Sequence, residues 1–467
     1  MEALALLAAV AAASLCFIAG WLTMDGAAVL TLTLLLSLIV FAWKRFDGGR
    51  HPCFLFLCLL ALFQGGRLIA YFAGQTTDIA RIELMTAYPF DVSPEVTATM
   101  LLSLALSGML IYLPCRCYYR PMGAQSSSRS DLLPYLYSVL CLSMPVQLFK
   151  SYCYYQYAAQ HGGYLVFFID HAGLAGCVPT AVRAISLVTL PALVGIFVLE
   201  RRPRLLYAAA AAYLVTVGPV VLTGSRGAVF TFLLSLWYLA KVKSGKRVRL
   251  SSLALMAMAF LLMGGLIGAW RVKTSDSVLS SPIQLLAEQG MSLNVTQVAI
   301  AERRQFAPHF VSYLGSEVQA AFVAADQANY VAGKRFNEDV AMFLNPIAFQ
   351  LGFGSGSAYL AEAYVLGRLW GVVVISILLG LLLHATYIGS RSAFGLFLVT
   401  MILPDVLWMT RGGLLDWLSA GLRVVVSILV LVTGWVLYRA AAFLLAMLLG
   451  RPSSRLSRSQ EALLQGQ

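Results

Sequence analysis

The chain has 467 residues, of which 60% are hydrophobic and only 12% are charged. Soluble domains carry about 25% charged residues, so the composition excludes a water-soluble globular enzyme, a disordered chain and a small disulfide scaffold. The net charge of +12 would indicate a nucleic-acid ligand in a soluble protein. In a membrane protein, however, basic residues first orient the chain, and we predict no nucleic-acid partner.

The apolar residues fall into continuous runs, each long enough to cross a bilayer as a helix of about 20 residues. A membrane β-barrel would instead show alternation over segments of about 10 residues. We therefore predict an all-α, polytopic transmembrane helical bundle of about twelve spans, because helices satisfy their own backbone groups in lipid. The predicted spans are residues 3–23, 27–43, 53–73, 95–114, 132–154, 178–199, 205–222, 228–240, 250–270, 368–388, 393–410 and 424–448.

The positions of these spans divide the chain into four regions. An N-terminal transmembrane bundle (1–270) precedes one large loop (271–367), and C-terminal transmembrane helices (368–450) precede a tail (451–467). The N-terminus lacks the basic segment of a cleaved signal peptide, so we interpret it as a retained span. The loop is mixed in charge and contains Tyr, Phe and His, which favours short helices over disorder.

Basic residues cluster in alternate connections between the predicted spans. These connections are residues 44–50, 116–129, 201–204, 241–249, 391 and 451–458. With twelve spans they all fall on one side of the membrane, and the positive-inside rule places that side, with both termini, in the cytoplasm. The large loop is then expected on the opposite side.

One arginine lies in a turn bounded by glycines. Arg226, in the segment Thr223-Gly224-Ser225-Arg226-Gly227, separates two apolar spans and has no other charge nearby. An arginine at this depth is costly unless it pairs or lines a polar cavity, and glycine allows a ligand to approach the backbone closely. The pattern favours an anion-binding arginine over one that reaches lipid headgroups, and both interpretations stay open.

Further arginines lie at span ends on the same predicted side. Arg271 and Arg411 each end a span, and each alone is typical of a membrane-boundary residue. Together with Arg226, they could bind one pyrophosphate through bidentate contacts. Arg67 lies inside a span and is interpreted either as a cavity residue or as the buried partner of a carboxylate.

The large loop carries two basic pairs. Arg303-Arg304 and Lys334-Arg335 would either strengthen a positive field that attracts an anionic substrate or form a solvated face. Sequence alone gives the two interpretations about equal weight.

A glycine-rich segment at residues 352–357 precedes a helical run that contains Glu362 and Tyr364. Such a segment before a helix N-terminus can bind an anion on its backbone N–H groups, with Gly354 and Gly356 as the predicted contacts. A flexible hinge is an equally good interpretation, and a dinucleotide site is excluded because no strand is predicted before the segment. Gly367 and Gly371 have the spacing of closely packed helices.

Several acidic or histidine side chains could act as a general base, which must lie within hydrogen-bond reach of the proton that it removes. Those on the loop side are His161, Asp170, His171, Glu302, His309, Glu317 and Glu362. Sequence does not choose among them, since a loop histidine is more often a surface residue.

The sequence has no Asp-x-Asp, Glu-x-Asp, HExxH, Walker A or EF-hand pattern, and Cys115 and Cys117 lack a second ligand pair. We therefore predict no metal and no cofactor.

Four features together resemble the Wzy-type O-antigen polymerases, or oligosaccharide repeat-unit polymerases. They are the number of spans, the Gly-Ser-Arg-Gly turn at Arg226, the single long late loop, and the sequence of residues 354–367 followed by Trp370-Gly371. The resemblance extends from Thr223 to Trp417.

This resemblance implies a GT-C-like, metal-independent glycosyltransferase in the bacterial inner membrane. It would polymerise undecaprenyl-pyrophosphate-linked oligosaccharide repeat units, as both donor and acceptor, into O-antigen or a related polysaccharide on the periplasmic face. The implied partners are these lipid-linked sugars, membrane lipids, a chain-length regulator and a flippase. Two alternatives stay open, namely an O-antigen ligase that delivers glycan to lipid A-core and a flippase or transporter of lipid-linked sugars.

The resemblance also implies roles for individual residues. Arginines in the outer loops are the functional residues of such proteins, a role that fits Arg226 best, then Arg411 and Arg271. Glu362 matches a recurrent acidic position, although a role at the helix start or in packing is also open. The predicted catalytic residues are Arg226, Glu362 and His309. The predicted substrate-binding residues are Arg271, Arg303, Arg304, Arg335, Gly354, Gly356, Tyr364 and Arg411.

Overall fold

The computed structural model describes most of the chain. The described residues are 23–75, 78–82, 90–121, 131–161, 163–200, 202–222, 227–256, 258, 282–320 and 330–448. Two predicted site residues, Arg226 and Arg271, lie outside these ranges. So do the tail and nearly all of the predicted span 3–23.

The regular secondary structure of the described residues is helical except for one short β-ribbon. The helices are α1 Met24–Arg45, α2 Pro52–Phe63, α3 Gly65–Phe72, α4 Pro94–Tyr118, α5 Leu132–Gln160, α6 Val166–Ile169, α7 His171–Gly176, α8 Thr180–Ser186, α9 Thr189–Leu199, α10 Pro203–Leu222, α11 Gly227–Lys243, α12 Pro282–Gln289, α13 Ser292–Ala301, α14 Arg303–Phe306, α15 Phe310–Ala320, α16 Phe336–Leu344, α17 Pro346–Gln350, α18 Tyr359–Gly389, α19 Ala393–Trp408 and α20 Asp416–Leu448. Short 3-10 helices occupy Gly163–Leu165 and Ala307–His309. Strands β1 (Arg81–Ile82) and β2 (Phe90–Asp91) pair antiparallel.

Within the described residues, seven helical segments are long and apolar enough to cross a membrane. They are α1, α4, α5, α8 with α9, α10, α18 and α20. The pair α2 and α3, bent by 48°, would be an eighth span. The prediction of an all-α polytopic membrane protein is confirmed. The described residues do not provide twelve spans, partly because α19 has 16 residues and rises about 24 Å, less than the roughly 30 Å hydrocarbon core.

Helices α4 and α18 pack closely against each other. A Cβ atom added to Gly380 would lie 2.6 Å from the carbonyl oxygen of Ile111, so the absent side chain lets the two backbones approach. Ser107 at the same interface hydrogen-bonds to Tyr359 at 2.6 Å and to Ser376 at 2.8 Å. Small residues and interhelical hydroxyl bonds are the usual means of packing helices in lipid.

Several of the basic connections meet at one end of the bundle, which we call the basic end. Trp43 donates a hydrogen bond from Nε1 to the carbonyl of Val248 at 2.9 Å. Tyr387 donates to the carbonyl of Arg120 at 3.0 Å. The Tyr119 hydroxyl donates to the Asp47 carboxylate at 2.9 Å. The connections around residues 43–51, 119–121 and 245–249 therefore lie at the same end.

The opposite end, which we call the loop end, carries the short helices α12 to α17. They surround a second apolar core that contains Val298, Phe306, Phe336 and the start of α18 at Ala361. The predicted short helices in the large loop are therefore present. Helix α18 links the two ends, and its regular geometry is interrupted at Gly367 and Arg368.

Candidate active site

Two chain segments run side by side at the loop end. The N–H of Tyr359 donates to the carbonyl of Met409 at 3.1 Å, and the N–H of Ser357 donates to that of Arg411 at 3.4 Å. Gly356 beside them has a φ of +73°, a conformation that glycine adopts at low cost. This pairing holds the glycine-rich segment, with exposed Gly354 and Gly356, against the connection between α19 and α20.

The Glu362 carboxylate lies where these segments meet. It accepts hydrogen bonds from the Ser357 hydroxyl at 2.6 Å and from the backbone N–H of Leu414 at 2.9 Å. Glu362 is partly buried. The carboxylate is therefore oriented by two donors on different segments.

A second carboxylate belongs to the same connection. Asp416 accepts a hydrogen bond from the N–H of Gly413 at 2.8 Å. A Cβ atom added to Gly413 would lie 2.8 Å from Asp416 Oδ1 and 3.2 Å from Glu362 Oε1. Both carboxylates thus face Gly413, and any side chain there would crowd them.

Arg411 is held on the same connection by side chains from two other elements. Its Nη1 donates to the side-chain oxygen of Gln289, at the end of α12. Its guanidinium carbon lies 5.5 Å from the centre of the Phe63 ring, which is within the range of a cation–π contact. Gln64 donates to the carbonyl of Thr410 at 3.1 Å, so the break between α2 and α3 fixes the backbone beside Arg411.

Arg67 lies deeper and contacts the large loop. It is 1% exposed, and its Nη2 donates to the carbonyl of Arg81 at 2.8 Å. A Cβ atom added to Gly290 would lie 2.2 Å from the backbone nitrogen of Arg67. Arg67 is therefore part of the interface between α3 and the loop helices.

The predicted loop arginines lie around the start of α18. Arg303 donates from Nε to the carbonyl of Tyr364 at 3.4 Å, which brings these two predicted residues together, while Arg304 is exposed. Arg335 pairs with Glu338 at 3.8 Å. The structure thus assigns Arg303 and Arg335 protein partners.

His309 lies beside a group of buried hydrogen bonds centred on Asp339. The Asp339 carboxylate accepts from Tyr313 at 2.6 Å, from Tyr330 at 2.8 Å and from the N–H of Gly333 at 3.0 Å. His309 is exposed and lies against Gly333. Burial, and then the bond to Asp339, raises the pKa of Tyr313 and of Tyr330 above the usual range of the phenol. Sequence reasoning missed this group, because its members are spread over α15, a turn and α16.

Some of the other predicted bases form a separate group at the end of α5. Asp170 accepts hydrogen bonds from the Tyr157 hydroxyl and, at 2.8 Å, from the N–H of Gly173. His161 stacks on Tyr157 with ring centres 4.1 Å apart. Asp170 therefore acts as the N-cap of α7. Glu302 lies between α13 and α14.

An apolar cavity of about 290 Å³ lies between α2, α11, α12 and the chain that follows residue 249. Its lining includes Leu59 of α2, Phe230 of α11, Ala254 and Leu286 of α12. Leu286 is one turn from Gln289, the partner of Arg411. The cavity thus adjoins the helix that holds this arginine.

Comparison with known proteins bears on the whole chain. A model of the family described as O-antigen polysaccharide polymerase Wzy matches residues 6–439. The chain belongs to this Wzy family. No curated protein and no solved structure matches it. The family match confirms the resemblance and identifies a glycosyltransferase-type polymerase that acts on lipid-linked oligosaccharide repeat units, in agreement with the multi-pass helical fold.

Within this Wzy-family fold, the structure brings Glu362, Arg411 and Gly356 together, and it adds three residues that the sequence did not indicate. These are Gln289, Ser357 and Asp416. Asp416 could have been noticed as an acidic residue close to Arg411 in sequence. Gln289 could not, because it lies 122 positions from its partner.

Proposed function

We propose that this protein transfers a growing glycan from a polyprenyl pyrophosphate to a hydroxyl of a second lipid-linked repeat unit, at the loop end of the bundle. The observation that carries the proposal is the connection at residues 409–416, which carries the oriented guanidinium of Arg411 and the carboxylate of Asp416 and binds the Glu362 carboxylate through the N–H of Leu414. Phosphate-linked glycosyl transfer needs one group that stabilises the leaving phosphate and one that accepts a proton.

Glu362 is the proposed general base. The acceptor oxygen attacks the anomeric carbon, its proton moves to Glu362, and the bond between the anomeric carbon and the pyrophosphate oxygen breaks. The two donors on Glu362 orient the carboxylate that takes this proton. Asp416 positions the backbone of Gly413 beside this carboxylate.

Arg411 is the proposed ligand of the leaving pyrophosphate. A guanidinium has five N–H donors in a rigid plane, so it can contact phosphate oxygens while it holds Gln289. One preorganised donor of this kind contributes about 2.7–4 kcal/mol to the transition state. Arg226 and Arg271 are proposed from the sequence alone to add positive charge at the same end. No divalent metal takes part in the proposed step.

The apolar cavity supports a lipid-linked donor. Its lining is almost wholly hydrocarbon, and Leu286 places it next to the helix that ends at Gln289. We assign it to the prenyl chain of the carrier, with the pyrophosphate at Arg411. The loop end would then face the periplasm and the basic end the cytoplasm, as the positive-inside rule requires.

The test is a reconstituted reaction. Purified protein in nanodiscs receives one undecaprenyl-pyrophosphate-linked repeat unit as the only sugar substrate. The proposal requires a ladder of products that differ by one repeat unit. A product that forms only after lipid A-core is added would show a ligase instead, and movement of lipid-linked sugar across liposomes without a new glycosidic bond would show a flippase.

A further inference from the structure

A group of sulfur and imidazole side chains lies at the basic end, remote from the proposed active site. His51, Cys53 and Cys115 each offer one ligand atom, and these atoms all lie within 4.8 Å of one another. All three residues are 0% exposed. His384, which adjoins them, lies on α18 beyond the interruption at Gly367 and Arg368, whereas Glu362 lies before it. The regular helix from Trp370 to His384 alone rises about 21 Å.

Three helices bring these side chains together. His51 is the N-cap of α2, and its Nδ1 accepts a hydrogen bond from the N–H of Cys53 at 3.1 Å. Cys115 lies near the end of α4, and its thiol donates to the carbonyl of Gly380 on α18 at 3.2 Å. The close approach of α4 and α18 at Gly380 therefore places Cys115 against the start of α2.

A second histidine contacts the group from α18. The Nδ1 of His384 lies 3.3 Å from the Nε2 of His51, and the two rings stack with centres 5.5 Å apart. Two nitrogens bound to one tetrahedral zinc lie about 3.3 Å apart, since each Zn–N bond is about 2.0–2.1 Å. A histidine ligand also commonly hydrogen-bonds a second group that orients its ring. His384 can serve in either way, and in both cases the Cys53 N–H bond to His51 Nδ1 is lost when the ion binds. Either Nδ1 becomes the ligand and the Nε2–H donates to His384, or the ring proton moves to Nδ1 and Nε2 binds the ion beside His384.

The donor types define the ion that would fit. Two cysteine sulfurs and an imidazole favour a thiophilic ion such as Zn²⁺ or Cu⁺, whereas Ca²⁺ and Mg²⁺ require oxygen ligands. Binding requires thiolates, so each cysteine releases one proton to solvent when the ion enters. No oxidation or reduction is involved.

We propose that His51, Cys53 and Cys115 bind one Zn²⁺ or Cu⁺ ion, with His384 beside His51 as the fourth donor or orienting partner. The ion links α2, α4 and α18 at the basic end. Its role is structural, because the group lies at the opposite end of α18 from Glu362. The proposal does not depend on the polymerase reaction.

Two cysteines on the same helices provide matched controls. Cys58 lies on α2 and Cys117 on α4, outside the group. The purified full chain in nanodiscs is titrated with Co²⁺, which gives a thiolate-to-cobalt absorption band in the near ultraviolet. The band should be lost in C53S and C115S and retained in C58S and C117S.

Element analysis should find one equivalent of zinc or copper in the wild type. Competition with a Cu⁺ chelator under reducing conditions distinguishes the two ions.

A measurement on the wild-type protein alone does not depend on whether the variants fold. X-ray absorption at the edge of the bound metal should show two sulfur neighbours and at least one nitrogen. Loss of the band to an equal extent in all four variants would overturn the assignment. So would a wild type with neither a cobalt band nor bound zinc or copper after loading, or one whose bound metal has only oxygen neighbours.

Discussion

Arg411 is fixed between an amide oxygen and an aromatic ring before any substrate binds. Gln289 accepts from its Nη1 and Phe63 lies against the guanidinium. A charged group that is already oriented loses little entropy when it stabilises a developing anion, which is the basis of electrostatic preorganisation. The planar guanidinium, and not only its charge, is therefore the functional feature.

Replacement of Arg411 tests this role directly. Arg411→Ala should lower kcat by about 100- to 1000-fold, the cost of one preorganised donor. Arg411→Lys should recover little of this loss, because an ammonium cannot keep the Gln289 bond and contact phosphate in the same planar arrangement. The measurement is the initial rate of chain extension, with exposed Arg391 changed to Ala as the control. Full rescue by lysine would contradict the geometric argument.

Because of the hydrogen bonds centred on Asp339, we expect the stability of the folded protein to depend on pH in the alkaline range. The pKa of Tyr313 and of Tyr330 is raised, first by burial and then by the bond to Asp339. Because the pKa in the folded state exceeds the unfolded value of about 10, this stabilisation is complete below about pH 10 and is lost as the pH rises through the folded pKa. The thermal midpoint of the wild type should therefore fall more steeply above pH 10 than that of a Y313F/Y330F variant. Tyr207→Phe, at a 74% exposed position, should follow the wild type, and equal slopes in all three proteins would refute this account.

Single residues were predictable from sequence only where their chemistry is unusual for their setting. Arg411 and Glu362 are charges beside apolar spans, and the structure places them on neighbouring segments. Their partners Gln289 and Ser357 carry no such signal. The group formed by His51, Cys53 and Cys115 could not be predicted from the sequence either. Cys117, close to Cys115 in the sequence, lies outside this group, whereas His51 and Cys53 belong to a distant part of the chain.

Helix α18 shows how two glycines with the same expected role can differ. Gly371 packs so closely on Ala363 that an added Cβ would lie 2.0 Å from its carbonyl oxygen, whereas an added Cβ on Gly367 meets nothing within 4 Å. The interruption between them puts Arg368 at a φ of +53°, which is costly for a side chain other than glycine. The spacing predicted packing against another helix for both. Gly371 instead approaches α18 itself across the interruption, and a Cβ atom on Gly367 would meet open space.

The contact between α4 and α18 can be tested with a glycine pair. Gly380→Ala places a methyl group 2.6 Å from the carbonyl oxygen of Ile111, so it should lower the free energy of unfolding by about 1–3 kcal/mol. Gly421→Ala on α20 meets nothing within 4 Å and should leave stability unchanged or raise it slightly, since alanine favours the helix. The measurement is the denaturation midpoint in detergent. Equal effects of the two substitutions would show that helix propensity, and not the close approach, decides the outcome.

The whole molecule has two chemically distinct ends joined by α18. Hydropathy predicted the helical class and most helix positions, because the bilayer requires apolar runs of a set length. It could not show that the predicted span 53–73 bends by 48° between α2 and α3, where the Gln64 side chain bonds to Thr410, far away in the sequence. The distribution of Lys and Arg predicted that the basic connections share an end, and the contacts among residues 43–51, 119–121 and 245–249 agree for three of them.

The central claim is that Glu362, which is hydrogen-bonded to the connection that carries Arg411, accepts the proton from the acceptor hydroxyl. The most direct measurement compares Glu362→Gln with Glu302→Gln, another loop glutamate, in the nanodisc reaction with one lipid-linked repeat unit. Glu362→Gln keeps the side-chain shape but removes the base, so we expect kcat to fall by at least about 100-fold with intact insertion, while Glu302→Gln extends chains at the rate of the wild type. A normal product ladder from Glu362→Gln would contradict the claim.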